Sequence, residues 1–346
     1  MIRFGICPCV QSPPDGQHLQ QRWQEALAEA QVADEAGFDL CVLTEHHQQS
    51  DGYFPNPLLA AAAVAAVTRR IYVGCAVSIL TVHHPVQVAE DAFQLDVMSG
   101  GRLFLGLGSG YSADDYACYQ VNMNHRPSLF EEALQILHQA RTGAAIDFRG
   151  KRYTTGAVNV YPRPVQQPLP LYVGAWSVPG LERTARLADG WITDVVNTRP
   201  TLKGLAQIYR EACATEGKKP EVLVMREGFC AATREAAQQR YEAAIVSSHR
   251  LYYQFGAYNR ELEPWMAAVP SADQLTLEHI QADRFILGDP QECIAEIERY
   301  IAELGATTFI LRMRHPDGPS HAETLESIRI FAEQVIPYFR ERYGSA

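Results

Sequence analysis

Three groups of residues in this chain have the types and spacing to do chemistry, and each follows a short apolar run. The first is Glu45-His46-His47, directly after residues 40–43. A histidine titrates near neutral pH and suits proton transfer. Adjacent side chains on an extended chain point to opposite faces, so only one of the two rings can face a given pocket. The alternative for His46 is a loop histidine without a role. A glutamate beside two histidines also raises the question of a metal, with His83-His84 as a further source of ligands. The helical zinc spacing is absent and no second ligand cluster is evident, so we expect no metal.

The second group is rich in small residues. Ala76-Val77-Ser78 stands near the end of the apolar run 71–80, and Gly106-Leu107-Gly108-Ser109-Gly110 closes the next one. Glycine lets a flat ligand or a phosphate come close to the backbone, or simply serves a tight turn. There is no Walker sequence and no Gly-x-Gly-x-x-Gly after the first strand; residues 106–110 are a partial match in mid-chain. The third group is Gly174-Ala175-Trp176-Ser177, leading into a helix that starts near Pro179. A helix N-terminus can bind phosphate through free N–H groups and its dipole. Ser177 also reads as an ordinary N-cap. Arg126 could close a phosphate site with a bidentate contact, or lie on the surface.

What places these groups together is the order of the elements. Residues 71–110 read as strand, helix, strand with short connections, which is a parallel crossover. The helix carries Val86, Ala89, Ala92 and Phe93 as an apolar stripe and stops at Ser99-Gly100-Gly101. Further strands are expected at 3–7, 40–43, 169–173, 190–193, 221–231 and 307–312. Helices are expected at 22–36, 57–68, 126–140, 179–188, 199–216, 234–247, 289–304 and 322–339. Short apolar strands alternating with helices about eight times favour a closed (β/α)₈ barrel over a doubly wound sheet. One domain over 1–346 is expected, with a hairpin insertion at 146–161 and a second, aromatic-rich insertion at 251–283. In such a barrel the active site lies at the C-terminal ends of the strands, where all three groups stand.

Composition bounds the partners. The 346 residues are 47% hydrophobic and 20% charged, enough for a large core. The formal net charge of -10 argues against nucleic acid and against an anionic membrane surface. The longest apolar run, 58–67, is too short to span a bilayer, and the N-terminus runs into a strand without a signal-peptide pattern. The 8 cysteines are scattered and several sit in apolar runs, which points to reduced thiols in a cytoplasmic protein. Cys7-Pro8-Cys9 has the wrong spacing for a zinc or thioredoxin-like pair.

At Glu45-His46-His47, Asn56-Pro57, His84-Pro85-Val86, Ala89-Glu90-Asp91, Leu95-Asp96, Met98-Ser99, Gly101-Arg102 and residues 288–294, the sequence resembles the bacterial luciferase-like monooxygenases, and most nearly their alpha chains. The resemblance covers nearly the whole chain. It implies a (β/α)₈ barrel that takes reduced FMN from a separate flavin reductase and uses O₂ to oxidise a small organic substrate. By position, His46 matches the catalytic histidine and Ala76-Val77 a non-proline cis peptide beneath the flavin. Glu90 matches a residue beside the ring, and Ser177 a phosphate-binding position. Ser109 stands where the alpha chains have a phosphate-clamping arginine, Gly108 where they have a reactive cysteine, and Trp176 where they have a glutamate. Arg126 is one position from a second phosphate-binding arginine.

The phosphate grip and the substrate are therefore expected to differ from those of the alpha chains, and light emission is not implied. The expected flavin contacts are Ala76, Val77, Glu90, Ser109, Arg126 and Ser177, with His46 as the proton-transfer group. The resemblance also implies pairing through the Ala-rich helix at 57–68 and the helix after it, giving a homodimer or a heterodimer. Residues 251–283 are expected to form a mobile lid. The rival expectations are a deazaflavin-dependent hydride-transfer enzyme of the same fold and a catalytically silent partner subunit.

Overall fold

The apolar runs extend where their β-branched and aromatic residues predict. In the computed structural model, described over residues 1–344, they form β1 (Arg3–Ile6), β2 (Leu40–Leu43), β3 (Tyr72–Ile79), β4 (Leu103–Gly108), β5 (Leu171–Gly174) and β6 (Gly190–Ile192), then β7 (Val222–Cys230), β8 (Ile286–Gly288) and β9 (Ala306–Arg312). Strands β1 to β7 and then β9 pair in parallel around a closed ring, with Phe4 opposite Phe309 where β9 meets β1. The fold is thus the expected (β/α)₈ barrel. β8 is additional: it lies outside the ring against Gly228–Cys230 at the far end of β7.

The helices that pack outside are α1 (Leu19–Ala36), α2 (Pro57–Val67), α3 (Pro85–Ser99), α4 (Ala113–Cys118), α5 (Arg126–Ala140) and α6 (Val178–Leu187). They continue with α7 (Arg199–Thr215), α8 (Arg234–Gln254), α9 (Leu277–Ile280), α10 (Pro290–Leu304), α11 (His321–Ile330) and α12 (Ile336–Tyr343). Side chains alternate along each strand. Leu40 and Val42 join Ala76, Phe104, Tyr172, Ile192, Leu223 and Met225 inside the ring, while Cys41 and Leu43 face the helices. No helix is long and apolar enough to cross a membrane among the described residues.

Two details of the β3–β4 pair shape the mouth. A Cβ on Gly74 would lie 1.7 Å from the Phe104 carbonyl oxygen, so only glycine lets the two strands meet there. The register shifts between Cys75 and Ser78, and the Ala76–Val77 peptide inside that interval is cis, as the resemblance implies. Outside the ring, Arg102 donates to the carbonyls of Ala65, Thr68, Ile71 and Ser99, tying α2, β3 and α3 together. The Gly101-Arg102 motif therefore has a structural task of its own.

The two insertions are built differently. Residues 146–161 form two isolated antiparallel bridges, Ile146 to Val158 and Arg149 to Thr154. Glu132 holds their turn by accepting from the N–H groups of Lys151, Arg152 and Tyr153. The segment 251–283 is not one loop. Its first residues finish α8, which runs past the expected end at 247. Val269, Leu275 and Ile280 are fully buried against Phe229, Tyr241 and Ile245. The last helix is broken by a π turn over Phe331–Val335. Pro337, which has no N–H to donate, sits at the start of the following turn.

Candidate active site

A cavity of about 470 Å³ opens at the C-terminal ends of the barrel strands. His46, Ala76, Val77, Ser109, Arg126 and Ser177 all line it. They come from the ends of β2, β3, β4 and β5 and from the first turn of α5, so the strand-end rule brings together residues up to 131 positions apart. Glu90 does not join them and is a correction. It is exposed on α3, whose buried side carries Val88, Ala89, Ala92 and Phe93.

His46 turns its ring into the cavity, against Tyr53 at 4.5 Å and Phe255 at 5.3 Å between ring centroids. Burial depresses its pKa, and the positive charge of Arg312 adds to that. Glu45 opposes both only in part, leaving a value of about 4. The ring is therefore neutral near pH 7 and can accept a proton. His47 points the other way. It is buried, with Nε2 2.8 Å from Glu45 Oε1 and Nδ1 3.1 Å from the Tyr119 hydroxyl. Burial pushes the Glu45 carboxyl up, but hydrogen bonds from His47, His83 and Ser78 outweigh it and bring it down to about 2.

The floor is built around Val77. A Cβ on Gly108 would meet Val77 Cγ2 at 2.5 Å, and one on Gly174 would meet Val77 Cγ1 at 3.2 Å. These glycines hold the strand ends flat against that side chain rather than forming turns. Ser109 fixes the next step through its carbonyl, which accepts from the hydroxyls of Thr81 at 2.9 Å and Tyr116 at 2.6 Å.

At the rim, Arg126 Nη1 donates to the Gly110 carbonyl at 3.2 Å, folding the guanidinium over the end of β4. Ser177 Oγ accepts from Gly180 N–H at 3.3 Å, so it is an N-cap of α6. Arg183 of α6 also lines the cavity and pairs with Glu131 at 2.6 Å. Two arginines and a helix N-terminus thus meet at one side of the opening, a setting suited to an anionic group.

Sequence reasoning missed Arg312, and it placed Tyr252 only as part of the expected lid. Arg312 ends β9, lines the cavity and is buried, 3.9 Å from Glu227 and with its guanidinium 5.3 Å from the Tyr252 ring centroid. Burial opposes its charge, but the guanidinium stays protonated, with the Glu227 carboxylate as its anionic neighbour. The signal was present: a charged residue closing an apolar strand, as at Glu45. The Tyr252 hydroxyl is buried without a hydrogen-bond partner among the described residues.

Residues 2–308 match the luciferase-like monooxygenase family, and the chain belongs to it. It is accordingly an oxidoreductase. The F420-dependent glucose-6-phosphate dehydrogenase of Nakamurella multipartita (strain ATCC 700099) is 26% identical over 91% of this chain and 92% of its own length. The alkanal monooxygenase alpha chain of Photorhabdus luminescens is 23% identical over 99% of this chain and 98% of its own. Among solved structures, the monooxygenase RslO1 from Streptomyces bottropensis superposes with a TM-score of 0.81 at 25% identity, covering 98% of this chain and 100% of that one. The family thus includes both monooxygenases and F420-dependent dehydrogenases.

Proposed function

We propose that this chain is a two-component flavin-dependent monooxygenase, which takes reduced FMN from a separate flavin reductase and oxidises an apolar or amphipathic small molecule with O₂. The observation that carries the reading is the form of the cavity: a glycine-flattened floor on Val77, a neutral His46 on one wall and the Arg126–Arg183–α6 rim on another. A flat ring system fits over Val77, and an anionic tail fits the rim, with Ala76, Val77 and Ser109 toward the ring and Arg126 and Ser177 toward the tail. Bound there, reduced FMN supplies the electrons that activate O₂.

The protein's own part is binding, shielding and proton handling. Tyr53, Tyr111, Trp176, Tyr252 and Phe255 surround the space beside His46 with apolar surface and keep bulk water from it. His46, held neutral, takes a proton from the substrate or from the site. Arg312 adds positive charge to the same wall.

Hydride transfer to a deazaflavin is the second reading. A neutral histidine in an apolar wall equally suits removal of a hydroxyl proton while hydride leaves, and the Nakamurella relative is named for F420. Anaerobic titration separates the two: reduced FMN should bind more tightly than oxidised FMN, NADH or F420. Admission of O₂ should then consume the bound reduced flavin. Preferential binding of F420, without reaction with O₂, would overturn the monooxygenase reading.

A further inference from the structure

We propose that Glu45, His47 and His83 form a binding site for one divalent transition-metal ion, at the outer side of the loop that carries His46. The three residues come from two strand ends, Glu45 and His47 after β2 and His83 between β3 and α3. Their ligand atoms all lie within 4.8 Å of one another. Glu45 Oε1 is 2.8 Å from His47 Nε2 and 2.8 Å from His83 Nε2. Neighbouring ligands on an octahedral ion, each ~2.1 Å from it, lie ~3 Å apart, so small ring movements convert this triangle into a coordination face.

The second layer is that of a metal site. Glu45 Oε2 is already taken by the Ser78 hydroxyl at 2.7 Å and the Ile79 N–H at 3.0 Å, which leaves Oε1 as its free ligand atom. His47 Nδ1 lies 3.1 Å from the Tyr119 hydroxyl. Donation of Nδ1–H to Tyr119 leaves the Nε2 lone pair facing Glu45, the arrangement a bound cation requires. Two histidines and one carboxylate on one face suit zinc, iron(II), nickel or manganese, with open positions opposite. His83 is partly exposed, so an ion has a way in.

Charge points the same way. Glu45 is 3% exposed, and its ion-pair partners among the described residues are the two histidines, with no lysine or arginine. The further carboxylates nearby are Asp115, which interacts with both Glu45 and His47, and Asp91, which interacts with His83. Hydrogen bonds hold this buried carboxylate ionised, and a cation beside it would add the opposite charge that its acidic neighbours do not supply. Without an ion, His47 and His83 can donate Nε2–H to it, Nδ1 of His47 then accepting from Tyr119; a divalent ion would take the place of both protons and neutralise the carboxylate. An ion there would lock the ends of β2 and β3 together and fix the backbone that aims His46 into the cavity.

The test uses the full chain, stripped with chelator, without flavin, titrated with Co²⁺. One equivalent should bind, with the visible absorption of histidine-ligated Co²⁺ and imidazole scattering in X-ray absorption. His83→Ala changes a partly exposed side chain and Glu45→Gln removes the anionic ligand; each should weaken binding about 100-fold or more. His84→Asn, which keeps a cap on α3, should bind like wild type. Far-UV circular dichroism and a melting curve verify that each variant is folded. Absence of stoichiometric Co²⁺ binding, lack of imidazole scattering, or equal affinity of wild type and His83→Ala would overturn the proposal.

Discussion

His46 and Phe255 stack with ring centroids 5.3 Å apart and planes inclined by 26°, joining the loop after β2 to the end of α8. The contact helps bury the His46 ring, and burial together with the charge of Arg312 lowers its pKa to about 4. A base must be unprotonated to act, so turnover should hold as pH falls through 6 and drop only as it nears the His46 pKa. Phe255→Ala admits water and should move that acidic limb upward, toward the ordinary histidine value of about 6.5. His46→Ala should cut turnover by about 10²–10⁴-fold with reduced flavin saturating. His47→Ala should act chiefly on stability. A pH–rate profile of the three variants checks all of this; an unmoved acidic limb in Phe255→Ala would remove the burial argument.

The same burial has a consequence for folding. His46 is protonated in the unfolded chain below about pH 6.5 but in the folded chain only below about 4, so between these values the unfolded state binds more protons. Buried His249 and His315 are also lowered, first of all by burial. Stability should therefore fall as pH drops from 7 toward 4. His46→Gln should flatten that slope in denaturant titrations at pH 5 and 7. An identical slope in the variant would mean that His46 is solvated.

Cofactor affinity should separate Arg126 from Glu90. Arg126 stands at the cavity rim with donors left over after its bond to Gly110, so Arg126→Ala should weaken binding of reduced FMN by about tenfold or more, the worth of a charge-assisted hydrogen bond. Glu90→Gln lies on the outer side of α3 and should leave that affinity within about twofold, since surface substitutions cost little. Anaerobic fluorescence titration measures both. Loss of binding in Glu90→Gln would restore the role that the family resemblance implied for it.

How much of this was legible in the sequence follows from particular residues. The barrel strands were readable because Leu40 to Leu43 and Leu103 to Gly108 are short apolar runs, and both sides of each are buried. His46 was readable as a polar residue at such a strand's end. The outward position of Glu90 was also readable. The stripe Val86, Ala89, Ala92, Phe93 gives the buried side of α3, and positional matching outweighed it. The length of α8 was hidden because its period is blurred by Ser247, Ser248, His249 and Arg250, of which Ser248 and His249 are buried in a polar cluster with His315. His83 was raised as a possible ligand beside Glu45 and set aside, because their meeting depends on the lateral pairing of β2 with β3 and not on any local spacing.

Assembly should follow the outer face of α2 and α3. The alanines of α2 were expected to form a contact surface, but Ala60, Ala61 and Ala65 are buried toward the barrel. What remains outward is apolar: Leu59 at 72% exposure, Met98 at 60% and Val97 at 45%. Burying one such side chain is worth about 1.5–3 kcal/mol, enough to favour a symmetric pair when several are covered. We predict a homodimer at micromolar concentration by sedimentation, and a shift to monomer in Leu59→Glu with Met98→Glu. A monomeric wild type would sink the idea.

The last prediction concerns residues 251–283, where the structure narrows what can move. Residues 266–280 are anchored by Met266, Val269, Leu275 and Ile280, each at most 3% exposed. Of this segment Tyr252 and Ala257 line the cavity, with Tyr252 over Arg312, and between them Phe255 packs on His46. Ordering by a ligand should therefore be confined to 252–258. On binding reduced FMN, amides there should exchange about tenfold more slowly, while those of 269–280 should be unchanged. Tyr252→Ala opens the wall beside Arg312 without touching the Arg126 rim. It should keep FMN affinity within a few-fold yet release hydrogen peroxide in place of oxygenated product. Uniform protection across 252–280, or full coupling in Tyr252→Ala, would show that this wall is not what keeps water out.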